Sequence, residues 1–237
     1  MKSPRVLVSW SAGKDSAWML YVLRRRKSSH IAGLMTTFDE DTDSVAAHGV
    51  RRGLVESQAA AARLPLWPIT LPHPCPNEVY EARMRPALRR ARAEGITHVA
   101  FGDLYLEDIR DWRVGQLYGT GLEPLFPLWT HPDATPALAR RMQAQGLRAV
   151  TVSIDPTRLA ESFLGREFDG DFVAALPSGV DPCGERGEFH TFCFSGPMFD
   201  STIPVRTGRP FARGGFSFVD LLPADAKPRS SRNTAGS

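Results

Sequence analysis

The stretch Ser9-Trp10-Ser11-Ala12-Gly13-Lys14-Asp15-Ser16 concentrates the residue types that hold phosphate. Small residues let a backbone turn tightly and bring its N–H groups against a ligand. The apolar run Val6-Leu7-Val8 leads into this loop, and a helical pattern starts at about Asp15. The loop therefore sits at a helix N-terminus, where unpaired donors and the positive dipole end favour an anion. The hydroxyls of Ser11 and Ser16 can donate to phosphate oxygens, and Lys14 offers a point charge. The loop is not a Walker A sequence, which needs four residues between its first Gly and Gly-Lys-Ser/Thr. Asp15 repels phosphate unless it caps the helix or holds Mg²⁺. An ordinary strand-to-helix turn with an Asp cap is the plain alternative.

Other candidates cluster at the ends of expected strands. Ligands of open α/β sheets sit outside the carboxyl ends of parallel strands. Backbone groups at Met35 to Thr37, with Thr36 and Thr37, end the second strand and are placed to meet a base. Gly102 and Asp103 end the fourth; Gly102 permits close approach, and Asp103 either caps a helix or coordinates Mg²⁺, which prefers carboxylate and phosphate oxygens. His48 caps a helix or touches ligand, and Arg51 can pair with a carboxylate or phosphate. Glu107 and Arg110 can share a helix face, with Arg113 one turn further on. They form a surface salt bridge or bind an acyl-phosphate. Glu185, Glu188 and His190 are the densest polar group of the C-terminal half, and strand spacing puts Glu188 and His190 on one face. His190 serves as a general base or as an orienting donor.

These residues need elements to hold them. Val6–Trp10, Ile31–Phe38, Leu66–Leu71 and Thr97–Phe101 read as strands. Helical patterns lie between them at 15–26, 48–63 and 78–94, the last with Pro86 as a candidate kink. This alternation predicts an α/β fold, a doubly wound parallel sheet over residues 1–129. The rhythm then changes: a helix is expected at 136–145, a strand at 147–154, a short helix at 159–164, and hairpins and loops from 180 to 209. Residues 130–222 therefore read as a second, smaller α+β domain, and 223–237 as a disordered tail without apolar anchors.

Composition is that of an ordinary globular chain: 237 residues, 42% hydrophobic and 23% charged, with a formal net charge of +3. No apolar run approaches the roughly 20 residues needed to span a bilayer. A strand pattern begins within five residues of Met1 and leaves no room for a signal peptide, so the cytoplasm is the expected location. The Arg runs at 24–26 and 83–92 read as solvated helix faces, and nucleic acid is not implied. Cys75, Cys183 and Cys193 form neither a C-x-x-C pair nor a zinc spacing.

The loop resembles the Ser-Gly-Gly-Lys-Asp-Ser motif of the PP-loop ATP pyrophosphatases, with Ala12 replacing one Gly. Ala12 fits if its φ is negative and is strained if the site needs positive φ. Gly102-Asp103-Leu104, Glu107-Asp108-Ile109-Arg110, Trp112-Arg113 and Pro127-Leu128-Trp129 resemble segments of the diphthine–ammonia ligase family. So do Val180-Asp181-Pro182-Cys183-Gly184-Glu185-Arg186-Gly187-Glu188-Phe189-His190-Thr191 and Ser195-Gly196-Pro197-Met198-Phe199. The resemblance implies a HUP-type N-terminal domain and a reaction that adenylates a carboxylate, releases pyrophosphate and transfers ammonia. It implies ATP held by Ser9, Ser11 to Ser16, Thr36, Thr37, His48 and Gly102, and Mg²⁺ on Asp103. Lys14, Asp103, Glu185, Glu188 and His190 become the expected catalytic residues. Arg51, Glu107, Arg110, Arg113 and Thr191 become the expected substrate contacts. The expected partners are a small-molecule or protein-borne carboxylate and ammonia, with a homodimer as one assembly. The Arg- and Ala-rich composition points to a GC-rich bacterial genome, where diphthamide is not expected, so the reaction class carries over better than the substrate. A tRNA-modifying PP-loop enzyme and a non-catalytic ATP-binding regulator are the alternatives.

Overall fold

A computed structural model describes residues 3–26 and 29–224. In chain order its N-terminal elements are β1 (Arg5–Ser9), α1 (Lys14–Arg26), β2 (His30–Asp39), β3 (Ser44–Val45), β4 (Val50–Arg51), α2 (Arg52–Ala61), β5 (Leu66–Leu71), α3 (Asn77–Ala93), β6 (His98–Ala100), α4 (Glu107–Leu117) and β7 (Glu123–Leu125). The C-terminal elements are α5 (Thr135–Ala144), β8 (Arg148–Ile154), α6 (Gly170–Ala174), β9 (Phe189–Ser195), β10 (Val205–Arg213) and β11 (Phe216–Pro223).

Five strands form a parallel sheet in the order β5-β2-β1-β6-β7. β1 lies at its centre, and its apolar run is buried because both faces are covered. Alternation along β1 divides the core. Val6 and Val8 pack with Leu20 of α1 and Leu54 of α2 on one side. Leu7 packs with Met84 and Leu88 of α3 on the other. The chain leaves β1 toward β2 on one side and later returns to β6 on the other. That reversal opens a crevice at the carboxyl ends of β1 and β6.

The second half forms a separate four-stranded sheet in the order β10-β11-β8-β9, antiparallel throughout. Its inner face, including Val150, Val152 and Phe192, joins the cluster that also contains α1 and α2. β9 thereby lies against the start of α1, and the two halves share one core. Among the described residues no helix is long and apolar enough to cross a membrane.

Several boundaries differ from the sequence expectation. The helix expected from His48 starts at Arg52, because Ser44–Val45 and Val50–Arg51 pair as a short hairpin with His48 in its turn. Gly49 has φ 64°, which allows that turn. α3 runs through Pro86 to Ala93. The short helix expected at 159–164 is a single 3₁₀ turn, Glu161–Phe163. β7 was not expected: three residues with Pro124 at their centre carry little strand signal, and proline is tolerated because β7 is an edge. Pro223, assigned to the tail, ends β11; the remainder of that expectation, from 225 on, lies outside the described residues.

Candidate functional site

The loop between β1 and α1 is held from outside by distant residues. Ala12 has φ 68°, so the strained alternative holds. Its carbonyl accepts the Cys193 N–H at 2.9 Å and Gln58 Nε2 at 2.9 Å. Gln58 is fully buried, accepts Trp10 Nε1–H at 2.8 Å, and donates to the Cys193 carbonyl at 2.6 Å. One amide thus ties the loop, the end of β1 and β9 together. Ser11 Oγ accepts the Gly13 N–H at 3.3 Å, and Ser16 Oγ donates to the Gly13 carbonyl at 3.0 Å. A Cβ on Gly13 would stand 3.0 Å from His48 Nε2 and 3.2 Å from the Thr191 carbonyl, so any side chain there is crowded and a neighbour must give way. Gly102 makes its close approach to protein: a Cβ there would lie 3.4 Å from Ser16 N.

Lys14 and Thr191 both line the crevice, and both are tied to protein partners. The Thr191 hydroxyl accepts the Lys14 backbone N–H at 3.0 Å and is buried, so Thr191 positions the loop. The Lys14 ammonium is 2% exposed, donates to the Cys183 carbonyl and pairs with Asp15 Oδ2 at 2.8 Å. The rings of Phe168 and Phe189 lie 5.5 and 5.3 Å from it. Burial pulls its pKa down, but the surrounding acidic groups, Asp15 foremost, with Cys183 and Glu185, together outweigh burial and raise it, so the group stays charged. Its charge is spent on joining the two halves. Oxygen and nitrogen donors facing the cleft come instead from Ser9, Ser11 and Ser16 and from the first turn of α1.

Three carboxylates face one another across the crevice. Asp15 Oδ1 and Asp103 Oδ2 are buried without a hydrogen-bond partner. Glu185 reaches over from the C-terminal half, and its Oε1 accepts the Leu104 N–H at 2.6 Å. Burial, with Asp15 and Asp103 adding, pushes Glu185 up to about 8. Two hard oxygens without a hydrogen bond, one of them 3.6 Å from Arg113 Nε, stand beside the loop and fit Mg²⁺, which keeps several waters and shares one or two carboxylates with bound phosphates. Among the described residues no group of three or more His, Cys, Asp or Glu side chains is placed to hold a metal ion.

The His48 and His190 rings lie against each other, centroids 4.6 Å apart and planes tilted by 41°. Burial, then the Lys14 charge, lowers His190 to about 4. Burial, then His190 and Lys14, pushes His48 well below its ordinary value. Both rings are neutral at pH 7, and His48 Nδ1 is buried and unpartnered. A ring held near 4 is a poor base, so orientation is the role left to His190.

Beside the carboxylates an apolar recess is lined by Met35, Thr37, Tyr80, Met84, Phe101 and Trp112. It shares Ser9, Ser11, His48 and Arg113 with the loop crevice. Met35 and Thr37 point in; Thr36 alternates away and is buried with Oγ1 unpartnered.

The phase of α4 brings Arg113 to the crevice and leaves Glu107 and Arg110 outside it. Leu106, Ile109 and Arg113 line the crevice. Arg113 Nε stands 3.6 Å from Asp103 Oδ2, over the Phe101 ring. Glu107 and Arg110 lie one row away on an exposed face, Arg110 over Trp129 at 4.7 Å. Arg51 is turned outward and pairs bidentately with Asp220 at 2.9 and 2.7 Å. Glu188 is fully buried outside the crevice. Its oxygens accept the N–H groups of Asp181 and Arg186, and Arg158 stands 3.4 Å away. It shapes the turn that presents Glu185. Gln58, Tyr80 and Trp112 were missed. Gln58 reads as any helix residue, and the aromatic pair Tyr80–Trp112, 5.2 Å apart, comes from two helices with no shared motif.

Two family models match the chain. The diphthamide synthase N-terminal domain covers residues 4–119, and the diphthamide synthase C-terminal domain covers residues 135–221. No curated protein matches the chain. The two matched segments carry the two walls of the crevice, and together they span most of the sequence. On that match, the chain belongs to the diphthamide synthase family.

Proposed function

We propose that this protein adenylates a substrate carboxylate with ATP and then amidates it with ammonia. The observation that carries this reading is the convergence of two segments on one crevice. The Ser11–Ser16 loop and the Gly184–Thr191 segment meet at the carboxyl ends of β1 and β6, beside an apolar recess lined by Met35, Tyr80 and Trp112. The recess takes adenine between Met35 and the Tyr80–Trp112 pair. The triphosphate then runs over the first turn of α1, where Ser9, Ser11 and Ser16 donate to it.

A carboxylate oxygen of the substrate attacks the α-phosphorus. The bond from that phosphorus to the β-bridging oxygen breaks, and pyrophosphate leaves with the electron pair. Ammonia then attacks the acyl carbon, the acyl–oxygen bond to AMP breaks, and a proton passes from nitrogen to solvent. Asp15 and Asp103 would hold Mg²⁺, which would supply charge neutralisation for the phosphates. Arg113 adds a cation on the same wall. Glu185 and the neutral His190 bound the space opposite and orient the incoming groups by hydrogen bonding. Catalysis here rests on positioning and on electrostatic relief.

The test is pyrophosphate release from ATP with candidate carboxylates and ammonium chloride. Wild type is expected to release pyrophosphate only with both nucleotide and acceptor present, and Asp103→Asn to lower the rate by about 100-fold with an unchanged melting curve. Equal release by Asp103→Asn and wild type would remove the crevice from the chemistry.

A further inference from the structure

Arg51 stands outside the crevice, yet the residues just before it wall that crevice. Val45, Ala46, Ala47 and His48, at the turn of the β3–β4 hairpin, line the apolar recess, and His48 also lines the loop crevice. A Cβ on Gly13 would meet His48 Nε2 at 3.0 Å, so the turn lies against the phosphate loop as well. Any shift of this hairpin changes the shape of the recess.

The two halves of the chain hold the hairpin at opposite ends. At its base Arg52 pairs with Asp43 at 2.6 Å and lies over the Phe38 ring at 4.1 Å, all within the N-terminal half. At its turn the contacts come from the C-terminal sheet. Arg213 donates to the Ala46 carbonyl at 3.3 Å, and Ser153 Oγ donates to the Ala47 carbonyl at 3.2 Å. The Phe218 ring lies against Gly49, where a Cβ would stand 3.0 Å from Phe218 Cδ1.

Those ties are long single hydrogen bonds and an apolar contact. The Arg51–Asp220 pair is of another kind. Its two charge-assisted bonds, at 2.9 and 2.7 Å, form a fork that fixes direction as well as distance. A bulge backs the carboxylate. The β10–β11 register runs from Thr207↔Leu221 to Pro210↔Val219, so Gly208 and Arg209 together oppose Asp220. A Cβ on Gly208 would lie 3.2 Å from Asp220 Cβ. The Arg51 and Asp220 side chains are 56% and 23% exposed, and a pair that open adds little to global stability. Its consequence falls on the hairpin.

We propose that Arg51–Asp220 is a latch through which the C-terminal sheet sets the position of the recess wall, with both as positioning residues for the nucleotide. The proposal rests on the nucleotide reading of the recess for its effect on ligand, but not for the latch itself.

Hydrogen exchange of the full chain without nucleotide, read by mass spectrometry, tests the latch. Arg51→Asp should speed exchange across residues 43–52 by about 3- to 10-fold. Its melting temperature should stay within about 2 °C of wild type, because the pair is exposed and Asp is a favoured N-cap at this position of α2. Asp220→Asn, close to wild type in shape, should act in the same direction. Arg51→Asp combined with Asp220→Arg should restore slow exchange. Calorimetric titration with Mg·ATP reads the recess: each single variant should bind about 3- to 10-fold more weakly, and the double variant should recover. Unchanged exchange at 43–52 in the single variants, or no recovery in the double variant, would overturn the latch. Faster exchange with undiminished Mg·ATP affinity would overturn the positioning role. A wild-type chain that binds no nucleotide would refute the reading of the recess, while the exchange result would still decide the latch.

Discussion

Replacing Gln58 with leucine tests whether the nucleotide loop is shaped by contacts remote in sequence. Leucine fills a similar volume, so the loss is one of hydrogen bonds and not of packing. Trp10 Nε1–H, now bonded at 2.8 Å, would be left buried without an acceptor, at a cost of about 1–3 kcal/mol. Two donated bonds, to Ala12 and Cys193, add about 1 kcal/mol each. Part is regained from the apolar side chain, about 1–2 kcal/mol. The net expectation is a loss of about 1–4 kcal/mol, or roughly 2–16 °C in melting temperature for a chain of this size. Ala12 would also keep only one restraint on a backbone that costs about 1–2 kcal/mol to hold. Its relaxation should weaken Mg·ATP binding by about tenfold. Thermal unfolding by circular dichroism, with calorimetric titration of Mg·ATP, reads both. A melting temperature within about 2 °C of wild type together with full affinity would refute the reasoning.

Ala12→Gly should be close to neutral. Relief of the left-handed backbone, about 1–2 kcal/mol, is offset by added chain entropy and one lost buried methyl, about 0.5–1 kcal/mol each. Ala12→Val should cost about 2 kcal/mol or more, because a branched side chain at φ 68° strains both backbone and core, and urea titration separates the pair. His190 gives the folded state a pH profile. Its folded pKa is about 4 against an ordinary 6.5, so the unfolded chain binds more protons between these values. Stability should be full above pH 6.5 and fall as pH drops toward 4, by up to about 3 kcal/mol, with His48 acting in the same direction. Urea midpoints across that range should show the slope, and His190→Gln should flatten it.

The parts of the site that are local in sequence were legible from sequence. The loop, the strand ends at Thr37 and Asp103, and the Glu185–His190 segment all reach the crevice. What was hidden depends on phase or on long-range pairing. Glu107 and Arg110 stand one helical row from Ile109, which lines the crevice on α4, and no local signal fixes the row. Glu188 and His190 have strand spacing, yet a turn stabilised by Glu188 itself precedes β9 and takes its carboxylate inward. Lys14 looks like a free charge until Cys183, far along the chain, arrives beside it. The β3–β4 hairpin is too short to carry a period, so the start of α2 could not be placed.

A crystal structure with Mg²⁺ and a non-hydrolysable ATP analogue tests the central claim most directly. The account predicts adenine against Tyr80 and Trp112, phosphates within hydrogen-bond reach of Ser11 and Ser16, and the metal on Asp15 and Asp103. Nucleotide bound away from the carboxyl ends of β1 and β6, or a crevice still empty at saturating analogue, would contradict it.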